Sequence, residues 1–171
     1  MGTYRPRITD ALLASNLDNA HAWSPALRSK TAVRTADTRY FADPSLATAA
    51  LGVGPGNLMD DLPTFGLFFE TMAVRDLRVY AEASGGFVEH YRDKTGLECD
   101  AVIHMPNGDF GLVEVKLGGE TLIGEGVKTL LKLSGKLRRK PSFRMVLTAV
   151  GEFAYRRKDG ILVIPLGALK P

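Results

Sequence analysis

Cysteine occurs once in the 171 residues, at position 99. One thiol excludes an intrachain disulfide framework and a Cys-based zinc site, and it predicts a reducing, cytoplasmic setting. The three histidines, His21, His90 and His104, form no HxH or HExxH pair, which argues against a zinc hydrolase. No uncharged apolar run reaches the ~18 residues that span a bilayer. Met1 to Arg7 lacks the apolar core of a signal peptide, so no membrane partner is expected. There is no G-x-x-x-x-G-K-[ST] loop either, since Gly135-Lys136 lacks both the earlier glycine and the Ser/Thr. This chain is therefore not a complete P-loop ATPase.

What is present suits a globular domain: 45% apolar and 24% charged residues. The length suffices for one well-buried core. Net charge is only +3, and it is unevenly placed. Residues 1–85 carry 8 Lys/Arg against 9 Asp/Glu, a net of −1; residues 86–171 carry 14 against 10, a net of +4. The excess gathers at Lys136, Arg138, Arg139, Lys140 and Arg144, and again at Arg156, Arg157 and Lys158. Such clusters bind phosphates in some proteins and are solvated surface in others.

Residues 1–36 are weakly patterned and read as a connecting segment, weakly structured or helical, with a short helix from Asp10 to Ala14. Residues 37–171 read as the folded domain. Thr38 to Phe41 predicts a strand, and Asp43-Pro44 opens a helix that ends before Gly52. Gly52 to Asn57 reads as a loop. Thr64 to Ala83 is the strongest helix, with Leu67, Glu70, Val74, Leu77 and Ala81 on one face. Strands follow at Phe87–Arg92, Leu97–Met105 and Phe110–Leu117, the last two joined by Pro106-Asn107-Gly108-Asp109. Asn-Gly predicts a tight hairpin with both central residues at positive φ. A helix from Thr121 to Leu137 buries Leu122, Ile123, Val127, Leu130, Leu131 and Leu137, and carries Lys128, Lys132 and Lys136 along another face. Strands at Phe143–Val150 and Ile161–Pro165 complete an α/β chain with a mixed sheet between helices.

The hairpin brings Asp100 beside Glu114-Val115-Lys116. Alternation puts Glu114 and Lys116 on one face and Val113 and Val115 on the other. Charges in an otherwise apolar strand need a partner or a metal. Two carboxylates repel unless a cation lies between them, and hard oxygen ligands suit Mg²⁺ or Mn²⁺. A lysine there orients or deprotonates a water, or neutralises charge on phosphorus. Glu70, set within an apolar helix stripe, has the position to join them. The same residues also fit a plain ion pair on a strand, worth little at a surface.

These residues resemble a known pattern. The helix glutamate Glu70, the strand Gly96-Leu97-Glu98-Cys99-Asp100 and the strand Val113-Glu114-Val115-Lys116 are similar to the core of the PD-(D/E)xK nuclease superfamily. From about Lys30 onward the chain also resembles a domain of unknown function found at the C-terminus of many prokaryotic AAA-type ATPases. The matching stretches are Arg39 to Leu46, Gly66 to Thr71, Tyr91-Arg92 through Asp100, Glu114-Val115-Lys116 and Asp159 to Leu166.

The resemblance implies a restriction-endonuclease-like mixed sheet of about five strands. It implies Mg²⁺ or Mn²⁺ on Asp100, Glu114, the Val115 carbonyl and Glu70, with Lys116 as the catalytic lysine. Hydrolysis of phosphodiesters in DNA or RNA would follow. From the residues themselves, Arg92, Lys128, Lys132, Lys136, Arg138 and Arg139 are the candidate nucleic-acid contacts, the alternative being an ordinary solvated charged surface. The resemblance implies an AAA-type ATPase domain as partner, in the same chain or another. The alternative is an inactive nuclease-fold module that binds nucleic acid or protein and regulates an ATPase. Cys99 stands where the family usually has a β-branched apolar residue, and it reads as core.

Overall fold

The computed structural model describes residues 17–28 and 32–169. The helix expected at Asp10 to Ala14 lies outside them. The described part of the 1–36 segment is extended rather than helical. Strand β1 (Leu17–Ala20) pairs antiparallel with β2 (Thr38–Phe41). Helix α1 (Pro44–Leu51) begins as its sequence predicts: the Asp43 carboxylate accepts the Ser45 amide at 2.8 Å and Pro44 takes the first turn. Gly52 ends it. The Gly/Pro loop expected to run to Asn57 is shorter, because Pro55 starts a second helix, α2 (Pro55–Asp60), and Asn57 turns back to accept the Gly54 amide.

Helix α3 (Leu62–Ala83) is capped by Asp61, which accepts both the Thr64 amide and the Thr64 hydroxyl. Its buried stripe runs through Phe69, Ala73, Leu77 and Ala81, with Phe68 and Val74 beside it. Val74, Leu77 and Ala81 of the expected face are buried, but Leu67, placed inside by spacing, is 65% exposed. At the far end Gly86 lies against β4, where an added Cβ would sit 2.2 Å from the His104 carbonyl oxygen.

Among the described residues the main sheet is mixed and has six strands, against the about five expected. Strands β3 (Phe87–Arg92), β4 (Glu98–His104) and β5 (Phe110–Lys116) form an antiparallel meander. The β4–β5 loop is not a two-residue turn. The Gly108 amide bonds to Met105 and the Met105 amide to Asp109, so Pro106 and Asn107 hold the centre and Gly108 alone takes positive φ, +81°. Helix α4 (Glu120–Lys136) crosses over to β6 (Phe143–Thr148), parallel to β5. Strand β8 (Leu162–Pro165) lies parallel to β6. Its hairpin partner β7 (Tyr155–Arg156) forms the edge and includes the first residue of the basic cluster at 156–158.

The sheet is packed on both faces. Toward α3 lie Ala101, Val113, Val115, Met145 and Leu147. Toward α4 lie Val102, Leu112, Val146 and Val163, against Ile123, Val127, Leu130 and Leu133. Each fully buried leucine or valine there contributes about 2 kcal/mol. Leu122 and Leu131, expected in this face, are 36% and 41% exposed, and Leu133 takes the buried position. Residues 21–28 and 32–36 run along β3 and the end of α4: the Trp23 amide donates to His90, the Arg34 amide to Arg92, and the Arg138 amide to Ala26. They cover a sheet edge that would otherwise expose unpaired backbone groups. Trp23 packs against Phe110, ring centroids 5.0 Å apart.

Candidate functional site

Central strand β5 carries Glu114 and Lys116 toward the α4 face, as its alternation predicts. Strand β4 pairs with β5 only as far as Ala101 and Val113. Beyond that point the Val115 amide donates to the Asp100 carboxylate at 2.7 Å. The side chain of Asp100 thereby takes a ladder hydrogen bond, and the strands part around it.

Lys116 completes the group. Its Nζ lies 2.9 Å from Glu114 Oε2 and 3.5 Å from Asp100 Oδ2. Burial works to lower the Lys116 ammonium, but Asp100 and Glu114 hold it above its ordinary value, so it stays charged at neutral pH. Glu114, with 5% of its side chain exposed, is pushed up to about 8 by burial and then by the Asp100 charge, against the pull of Lys116. Two carboxyl groups and an ammonium in so little solvent are expensive unless each is partnered. Glycine at 126 in α4 lets the helix come down on this point: a Cβ there would meet Glu114 Cβ at 3.3 Å.

Glu70 approaches from α3. Burial and the Asp100 charge push it up to about 7, while the Lys116 charge and a hydrogen bond from Tyr40 act the other way. The Tyr40 hydroxyl donates to Glu70 Oε1 at 2.8 Å. Nothing in the spacing of the sequence ties position 40 to position 70.

A cleft of about 460 Å³ opens over this group, lined by Asp100, Glu114 and Lys116, by Thr95 to Glu98 from the β3–β4 turn, and by Lys128, Thr129 and Lys132 from α4. An apolar groove of about 810 Å³ adjoins it, with Leu62, Leu67, Leu122 and Val150 on its walls beside Glu70 and Lys116.

The expected basic surface divides. Lys128 and Lys132 line the cleft. Lys136 instead reaches Asp93 Oδ2 at 2.7 Å. Arg138 donates to the Leu27 carbonyl at 3.0 Å. Arg139 holds Asp109 and the Gly108 carbonyl at the opposite end of the hairpin. Arg92 is tied to Glu98 at 2.7 Å. Cys99 is buried, with its thiol against the Val113 carbonyl at 3.3 Å, and burial pushes it well above its ordinary value. It packs as core.

The donor set can be tested for a divalent ion. Among the described residues no group of three or more His, Cys, Asp or Glu side chains is close enough to form a cage. Asp100 and Glu114 are hard ligands, and the contacts above fall on Oδ2 and Oε2, leaving each carboxylate its second oxygen. That suits Mg²⁺, which keeps several waters and takes one or two carboxylates plus substrate phosphate. No described helix is long and apolar enough to cross a membrane.

The sequence signature of a family described as "Domain of unknown function (DUF4143)" matches residues 65–169. No curated protein and no solved structure matches the chain.

Proposed function

The chain belongs to the DUF4143 family, whose matched segment holds Glu70, Asp100, Glu114 and Lys116, and we propose that it is a metal-dependent nuclease-like domain hydrolysing phosphodiesters of DNA or RNA. One observation carries this reading: Asp100, Glu114 and Lys116 meet at the point where β4 and β5 part, under a cleft that also holds Lys128 and Lys132. The resemblance to the PD-(D/E)xK core supports it, since the same four positions correspond to that pattern.

In this reading Asp100 and Glu114 hold Mg²⁺ or Mn²⁺, helped by the Val115 carbonyl and by Glu70. The ion supplies Lewis acidity and lowers the pKa of water. The chain does the rest. Lys116, held charged between the two carboxylates, is a poor proton acceptor. Its role is to neutralise the charge that grows on the phosphoryl oxygens. Lys128 and Lys132 hold flanking phosphates as point charges. The Thr95–Glu98 turn and α4 wall off the cleft. The resemblance further places such a domain beside an AAA-type ATPase.

The test is cleavage of single- and double-stranded DNA and RNA with Mg²⁺ or Mn²⁺. Wild type cleaves and Glu114→Ala and Lys116→Ala do not; cleavage that persists in both refutes the mechanism. A second reading, an inactive nuclease-fold binding module, is favoured by the closeness of Lys116 to both carboxylates, since this ammonium already supplies the positive charge they need. Nucleic-acid binding without cleavage, unchanged in both variants, would select that reading.

A further inference from the structure

The matched segment begins at residue 65, yet a side chain from outside it hydrogen-bonds Glu70, which lines the groove beside Lys116. Tyr40 stands on β2, is 9% exposed, and donates its hydroxyl to Glu70 Oε1 at 2.8 Å. The β1–β2 ribbon that carries it is fastened to α3 on both sides of this bond. Asp18 of β1 is ion-paired with Arg78, and Phe41 packs edge-on against Phe68 with centroids 6.5 Å apart. α1 follows β2 directly, and the Asp43 carboxylate that caps it lies 3.7 Å from Arg75 of α3. The phenol is therefore not free to swing. Burial, and then the Glu70 charge, push its ionisation above the ordinary tyrosine value, so it remains a donor.

We propose that Tyr40 is a positioning residue of the site: it fixes the Glu70 carboxylate by one hydrogen bond, and the β1–β2 ribbon, outside the matched segment, is thereby part of the functional unit. The inference rests on the proposed function, because Glu70 matters only if the carboxylates hold an ion. The geometry assigns the bond to one oxygen, Oε1, and so leaves Oε2 for a ligand. A carboxylate held by an outer partner keeps one orientation, and loss of such a partner typically weakens metal binding by about 10- to 100-fold.

Mn²⁺ affinity, measured by calorimetry on the full chain with and without a short non-cleavable oligonucleotide, tests this. Tyr40→Phe keeps the ring and its packing, so the fold survives; circular dichroism verifies it. The expected result is Mn²⁺ binding weakened by about 10- to 100-fold in Tyr40→Phe, a similar or larger loss in Glu70→Gln, and no further loss when both are combined. A purely packing role for Tyr40 would instead lower the melting temperature and leave Mn²⁺ affinity alone. Unchanged affinity in Tyr40→Phe or in Glu70→Gln overturns the inference while leaving the proposed function standing. So does an additional loss when Tyr40→Phe is added to Glu70→Gln. Absence of Mn²⁺ binding by wild type under both conditions overturns the proposed function, and the inference falls with it.

Discussion

Asp93 joins the two walls of the cleft, and its replacement by asparagine should both destabilise the chain and change its response to acid. The residue is fully buried. Its Oδ1 accepts from the Thr95 amide at 2.8 Å, the Thr95 hydroxyl and the Leu97 amide at 3.2 Å; its Oδ2 faces Lys136 Nζ at 2.7 Å and the Tyr91 hydroxyl at 3.3 Å. An asparagine side chain would keep an oxygen for the turn but would set an amide nitrogen against an ammonium. Removing one partner of a buried pair costs about 3–5 kcal/mol. Lys136 retains 22% exposure and can turn to water, so the loss at pH 7 is expected at or just below the low end of that range, about 2–3 kcal/mol.

Burial alone would raise the Asp93 carboxyl, but Lys136, Thr95 and Leu97 hold it well below the usual carboxylate range. A depressed folded-state value means the stabilisation is present above the unfolded value of about 4 and is lost as pH falls further. The gap between wild type and Asp93→Asn should therefore narrow by about 1.4 kcal/mol for each pH unit below 4. Urea denaturation of both proteins at pH 7 and pH 3 measures it. Equal stability at pH 7, or a gap unchanged at pH 3, would refute the assignment of this carboxylate as the ionised link between turn and helix.

Glu114 gives the opposite pH dependence. Its folded value of about 8 lies above the ordinary 4.5, so its contribution is full below 4.5 and is lost as pH rises through 8. Melting temperatures should fall between pH 5 and 9 in wild type and fall less in Glu114→Gln; parallel curves would count against this. Lys128→Ala with Lys132→Ala should weaken nucleic-acid binding and reduce the salt slope by about 2, as read from binding isotherms at several salt concentrations. Lys136→Ala should leave that slope unchanged and lower the denaturation midpoint instead, because its charge is spent on Asp93.

The elements with dense local signals were legible without any structure: the Asp43-Pro44 helix start, the long helix ending before Gly85-Gly86, and the alternation that sets Glu114 and Lys116 on one face. So was the pairing of the Asp100 strand with the Glu114 strand, since a short loop leaves two consecutive strands little choice but to meet. These features depend on residues within one turn of helix or two steps of strand. What only the tertiary structure decided lies at longer range. Helix period alone admits more apolar positions on α3 and α4 than the sheet can cover, and packing turned Leu67, Leu122 and Leu131 outward while Leu133 took a buried position. Lys128, Lys132 and Lys136 form one row in sequence, yet only the first two reach the cleft, because the third meets a buried carboxylate 43 positions away. Tyr40 meets Glu70 across 30 positions. Such pairs are set by how the sheet, the α4 crossover and the β1–β2 ribbon close on one another, and no local pattern of residue types encodes that closure.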